Sequence, residues 1–369
     1  MARPVGVTVG LVMIVKNEER TLPRLAESVR GQLDHWTIVD TGSTDETIAI
    51  APKLFEGVSG EVVSTEWRGY GPSRNVSLQA ARPYTDWLLL LDADHTISGT
   101  IDRDSLNDRL DCVEAEEHYH QLRLWRPFLI RSNAGWEWHG RAHEYLGMSD
   151  APRSRQMSTF KVVHHADGGN RPDKLERERL LLEQDFAERP DDSRTVFYLA
   201  RTHDDMGHAG QAAEFYRRRL QIGGWVEESW YARWRLGVCQ LAIGSVDQGC
   251  GTLWRAWGER PWRAEPLGTL AKFYREQQLW RLCWEVCQLA RQHTGVQPTG
   301  LGPDPEAIDR LFVHTDFYTW GVAFEESICA YYVNEIDRGR SLCQYLLDRD
   351  DLPPEERRYV QDNLRFYRT

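Results

Sequence analysis

The chain changes periodicity near its middle. Val7 to Val15 is a continuous apolar run of strand length, and Thr21–Gln32 follows with Leu22, Leu25 and Val29 at helical spacing. A second strand is predicted at Trp36–Val39, ending in Asp40-Thr41-Gly42-Ser43-Thr44-Asp45, with a helix starting near Asp45 behind a Ser or Thr cap. Glu61–Thr65 reads as a third strand and Gly71–Ala81 as a helix opened by Pro72. Trp87–Leu91 is a fourth strand that runs directly into Asp92-Ala93-Asp94. This alternation predicts an α/β domain with a mainly parallel sheet and helices on both faces. Ligands of such sheets sit beyond the carboxyl ends of the strands. The polar clusters at 16–19, 40–45 and 92–94 all fall at that end.

From about Lys174 strand-like runs give way to helical stretches broken at Gly or Pro, which divides the chain into residues 1–173 and 174–369. Gly207 and Gly244 end two similar segments, FYLARTHDDMG and ARWRLGVCQLAIG, about 37 residues apart. Each is followed by a second helix, at 209–221 and 246–257. A third pair fits 267–275 with 279–291, and a fourth fits 324–333 with 338–347. Helix pairs at this period resemble tetratricopeptide (TPR) repeats, which stack into an all-α solenoid. The Gly- and Pro-rich 295–305 segment is predicted to be a loop, and Pro353-Pro354 to precede a terminal capping helix.

The formal charge of −11 argues against a general nucleic-acid binder. The first apolar run stops at Lys16-Asn17-Glu18-Glu19 without a cleavage pattern, and no stretch reaches the ~18 apolar residues of a membrane span. A cytoplasmic protein is expected. Seven cysteines form no CxxC pair. Cys283 and Cys287 can share a helix face but lack further ligands nearby, so the cysteines read as reduced, buried thiols. The 15 tryptophans fill helical cores or stack on sugar-like ligands; composition favours the core, and exposed ones on the repeats would point to self-association.

Asp92 and Asp94, two carboxylates at i and i+2 on a strand end, suit a hard divalent cation that also grips substrate phosphates. Four ordered motifs, VMIVKNEERTLPRLAESV, IVDTGSTDETIAIA, GPSRNVSLQAA and DWLLLLDADHTISG, resemble those of family 2 glycosyltransferases over about the first 100 residues. The resemblance implies a GT-A fold, a nucleotide-diphosphate sugar donor such as a UDP-sugar, a divalent metal (Mn²⁺ or Mg²⁺) and inversion at the anomeric carbon. It places Glu18 by the base or ribose, Asp40 on the uracil or ribose, and Arg74 of the Arg74-Asn75 pair on the diphosphate. Asp92 would face the ribose and Asp94 the metal. Thr41 stands where many members carry a second acid, which leaves the base open.

The base that deprotonates the acceptor must come from elsewhere. The stretch from Gly135 to Tyr145 resembles a tryptophan-rich segment ending in His-Glu in a subset of the family. Glu144 is the first choice for the base, with His143 its rival and an acid elsewhere a third option. Arg141 is assigned to the donor, and Trp136 and Trp138 either stack on a sugar or pack in the core. His164-His165 occupies a place where GT-A enzymes often supply a further metal ligand. Adjacent strand residues face opposite ways, so one of them takes the role, with His165 slightly preferred; a pair that merely closes the sheet is the alternative. Imidazole suits Mn²⁺ better than Mg²⁺.

The expected acceptor is large, a peptide, protein or glycan, since helical repeats offer long concave surfaces. Peptide glycosyltransferases of bacteriocin clusters resemble this layout. Two rivals remain: a TPR-type scaffold with an idle α/β domain, and nucleotidyl transfer on a related sheet.

Overall fold

The computed structural model describes residues 6–119, 122–148, 155–168, 173–294 and 311–368. The predicted loop at 295–305 lies outside the described residues. The chain divides into two compact units, Met1–Glu188 and Arg189–Thr369.

The first unit opens with β1 (Val9–Val15), α1 (Leu22–Ser28), β2 (His35–Asp40), α2 (Thr47–Leu54), β3 (Ser59–Ser64), α3 (Tyr70–Ala81) and β4 (Trp87–Leu90), in the order predicted. β1, β2 and β4 are buried on both faces, whereas β3, at the sheet edge, is exposed or half-buried throughout. Val9, Leu11, Met13 and Val15 of β1 pack with Trp87 and Leu89 against Leu22, Leu25 and Ala26 of α1. Val12, Leu88 and Leu90 face the other way and meet Leu78 and Ala81 of α3. One strand thus feeds two cores, which is why its sequence is continuously apolar rather than alternating.

The remaining strands are β5 (His95–Ser98), β6 (Cys112–Tyr119), β7 (Leu122–Arg131), β8 (Glu137–His139), β9 (Tyr145–Gly147) and β10 (Arg155–His164). They complete an eight-stranded sheet of order β3-β2-β1-β4-β7-β6-β10-β5, while β8 and β9 form a separate hairpin. Pairs β1–β2, β1–β4, β2–β3 and β6–β10 are parallel; β4–β7, β6–β7 and β5–β10 are antiparallel. The sheet is therefore mixed, with its parallel half at the N-terminus. α4 (Lys174–Glu188) belongs to this unit, so the division falls one helix later than the change in periodicity at Lys174.

The second unit is a succession of helix pairs: α5 (Ser193–Asp205) with α6 (Ala209–Ile222), α7 (Val226–Ala242) with α8 (Val246–Glu259), and α9 (Glu265–Glu276) with α10 (Trp280–Thr294). A further pair, Val322–Tyr332 and Ile336–Leu347, is followed by the helix Pro354–Leu364. The turns after α5 and α7 need a left-handed residue, and Gly207 and Gly244 supply it at φ 77° and 79°. Asp192 caps α5 by accepting a hydrogen bond from the Thr195 amide at 2.8 Å. No described helix is long and apolar enough to cross a membrane.

Candidate active site

The carboxyl ends of β1, β2 and β4 open on a cavity of about 520 Å³. Lys16 and Glu18 line it from the end of β1, Thr41 from the end of β2, and Asp92 and Asp94 from the end of β4. Trp67 comes from the segment before α3, Tyr70 and Arg74 from the start of α3, His164 from β10, and Lys174 and Arg177 from α4. Lys16, Arg74, Lys174 and Arg177 thus share one open space with four carboxylates, Glu18, Asp92, Asp94 and Asp173. Burial pushes the Glu18 carboxyl up, against the hydrogen bond it accepts from Thr21 at 2.6 Å.

Arg74 ties two of the predicted groups together. Its Nη1 lies 2.8 Å from Asp92 and its Nε donates to Glu144 at 2.9 Å, while the guanidinium covers the Trp138 ring at 5.0 Å. Burial alone would raise the Asp92 carboxyl, but Arg74, with His95 and Arg126 beside it, brings Asp92 well below the usual range. Glu144 is not exposed to the cavity as Asp92 is; it reaches the site through Arg74.

A second cluster surrounds Asp94. His164 Nε2 is 3.3 Å from Asp94, and its Nδ1 is 3.4 Å from Glu117. These two carboxylates push the imidazole up to about 9. Glu117 is 1% exposed and takes Arg126 Nη2 at 2.6 Å. A carboxylate on Nδ1 fixes the ring and leaves Nε2 to face a cation beside Asp94, the usual second-sphere arrangement of a ligating histidine. Asp94 and His164 therefore fit a metal through the chemistry of their donor atoms. His95 approaches the same group, but its Nδ1 accepts the Asp92 amide at 3.1 Å. Its proton must then sit on Nε2, which is unsuited to ligation. His95 shapes the Asp92 turn.

The other predicted residues go elsewhere. Asp40 is 3% exposed and accepts from the Gly42 amide at 2.9 Å and the Ser43 amide at 3.1 Å, so it builds the turn after β2. Asn75 spends both ends of its amide on the Trp138 main chain, at 2.8 Å each. Arg141 is drawn to Asp185 and Glu188 of α4, away from the cavity. Trp136, 3% exposed and bonded to the Asp111 carbonyl, is a core residue. His165 contacts Thr96 Oγ1 at 2.9 Å, so of the two histidines it is His164 that stands against Asp94. His143, at φ 50°, faces Glu178 of α4 at 3.7 Å. Sequence reasoning missed Glu117, Tyr70 and Arg177. Lys16 stood in a motif, but no role was given to it.

Residues 11–100 match the family model "Glycosyl transferase family 2". An uncharacterized glycosyltransferase of Rickettsia conorii is 36% identical over 118 residues, covering 32% of this chain and 38% of its own. The SPbeta prophage-derived glycosyltransferase SunS of Bacillus subtilis is 22% identical over 228 residues, covering 58% and 53%. The solved structure of MamA is 12% identical with a TM-score of 0.37, over 51% of this chain and 91% of its own. Residues 11–100 thus carry a family 2 glycosyltransferase domain, and a succession of helix pairs follows it in the chain. The chain spans less than two thirds of the length of these curated relatives.

Proposed function

We propose that the protein transfers a sugar, with inversion, from a nucleoside-diphosphate donor of the UDP class to a large peptide, protein or glycan acceptor. The observation that carries this reading is the shared cavity: Asp92, Asp94, Lys16 and Arg177 all line it. A diphosphate needs positive charge and a cation at one end of the site, and a ribose needs an acceptor beside it. Asp94 and His164 would hold Mn²⁺ in preference to Mg²⁺, because one donor is an imidazole. A bound divalent ion supplies charge neutralisation on the departing diphosphate.

The chain's own groups do the rest. Lys16 and Arg177 face the diphosphate, and Trp67 and Tyr70, in edge contact at 4.9 Å, offer apolar faces for the sugar. Arg74 fixes Asp92 and Glu144 on one guanidinium. Glu144, which stands beside the cavity with one oxygen on Arg74 rather than in its lining, is assigned to the acceptor side: its other oxygen takes the proton from the acceptor nucleophile as the nucleophile's bond to the anomeric carbon forms and the bond to the diphosphate oxygen breaks.

The test is incubation with Mn²⁺ and a panel of nucleotide sugars, reading released nucleoside diphosphate. Turnover with one donor, abolished in Asp94→Ala, is expected. Neither turnover nor metal-dependent nucleotide binding would favour a scaffold with an idle domain. Pyrophosphate as the product would indicate nucleotidyl transfer.

A further inference from the structure

Cys283 and Cys287 stand one turn apart on α10, too few by themselves to hold a metal. The fold brings a third. Cys329, on the helix Val322–Tyr332, meets both of them; all three are fully buried and their sulfurs lie within 4.8 Å of one another. Their main-chain contacts are long, at 3.9 Å from Cys283 to the Glu325 carbonyl, 3.9 Å from Cys287 to Val322 and 3.5 Å from Cys329 to Glu326. A single buried cysteine behaves as a small hydrophobe. Three polarizable sulfurs converging from two helices form a donor set.

Metal–sulfur bonds of about 2.3 Å place three sulfurs around one ion about 4 Å apart. The observed spacing closes to that with small side-chain shifts. Around them Arg275 pairs with Glu325 and Glu276, and Arg291 and Arg338 both pair with Glu326, so three guanidinium groups meet three carboxylates and the shell is balanced. A divalent ion that replaces three thiol protons adds a net charge of only one negative unit to it.

We propose that Cys283, Cys287 and Cys329 form a trithiolate site for a soft divalent cation of the zinc class, clamping α10 to the helix Val322–Tyr332. Binding replaces three S–H protons with three metal–sulfur bonds, and the protons leave to solvent. No electron transfer is involved. The site does not depend on the transfer chemistry proposed above, because all its residues belong to the second unit.

Cd²⁺ is a suitable probe, since its thiolate complexes absorb in the near ultraviolet. The full chain carrying Asp94→Ala, which removes the other cation position, is unfolded with reductant and refolded without oxygen beside one equivalent of Cd²⁺. The expected result is one Cd²⁺ retained per chain after gel filtration, with a thiolate-to-metal absorption band. The band should vanish in Cys329→Ser and Cys287→Ser and persist in Cys250→Ser, whose thiol lies on α8. The proposal is overturned if the refolded chain shows no band, if the band survives Cys329→Ser, or if the three thiols are recovered as a disulfide and a free thiol. Cys329→Ala is measured in parallel. Should every cluster variant fail to fold, the band and stoichiometry of the chain with all three thiols decide the matter.

Discussion

Asn75 offers the sharpest separation between a residue that touches the donor and one that builds the site. Its side-chain amide donates to the Trp138 carbonyl and accepts from the Trp138 amide, both at 2.8 Å. Trp138 lies in β8, a three-residue strand paired, among the described residues, with the equally short β9 alone. A two-stranded hairpin of that size is not stable alone. Each neutral hydrogen bond contributes about 1 kcal/mol net, so Asn75→Ala costs about 2 kcal/mol. This shifts the balance between clamped and released hairpin by about 30-fold. In a unit of this size it lowers the melting midpoint by about 4–8 °C. The hairpin leads to Glu144, so transfer should fall by about one order of magnitude or more. The binding of nucleotide and Mn²⁺ should remain, because Asn75 does not line the cavity. Asn75→Asp keeps the bond from the Trp138 amide but sets a carboxylate against its carbonyl, and should be no better than alanine. Calorimetric titration with UDP and Mn²⁺, beside a single-turnover transfer assay, gives both quantities. Lost nucleotide affinity at an unchanged melting midpoint would refute the structural assignment and return Asn75 to the donor.

Three further outcomes are expected. His164→Ala should remove metal-dependent nucleotide binding while His165→Ala leaves it, and Glu117→Gln should weaken it by about 10–100-fold through loss of ring orientation; equal effects of the two histidine variants, read by Mn²⁺ titration, would contradict the ligand assignment. Glu144→Gln retains a contact to Arg74, so donor affinity should hold while transfer collapses; a fully active variant would exclude Glu144 as the base. His164 is raised from 6.5 to about 9 without metal, so its bridging proton stabilises the metal-free fold fully below 6.5 and no longer once pH rises through 9. Metal competes with that proton, so Mn²⁺ affinity should drop by about tenfold per pH unit lost below 9; a flat profile between pH 7 and 9 would show that His164 is not a ligand.

The parallel half of the sheet and the helix pairs were legible because their apolar residues recur at the periods of buried strands and amphipathic helices. The second half of the sheet was hidden. β6 reads CVEAEEHY, with three glutamates in eight residues, and only the fold shows that Glu117 turns inward to His164 and Arg126. β7 carries Pro127 and three arginines, which a local reading assigns to a loop. At the site, the motifs marked important positions more reliably than they marked roles. Asp40 and Asn75 carry motif chemistry, yet both are consumed by main-chain groups that no local pattern names. Glu144 and Arg74, 70 residues apart, meet only because the β8–β9 hairpin folds back onto α3. Cys329 was invisible as a partner of Cys283 and Cys287 for the same reason: it reaches them from a separate helix.

The two-sided anchoring of β4 also bears on how this protein tolerates change. Leu88 and Leu90 are gripped by one core, and Trp87 and Leu89 by the other. A slip of one residue would exchange the two sets and reverse the outlook of Asp92 and Asp94 together. The aim of these acids is thus governed by packing across the full thickness of the domain. Substitutions deep in either layer should disturb cation and nucleotide capture before they unfold the chain, whereas the short loop bearing the acids has little freedom of its own to drift.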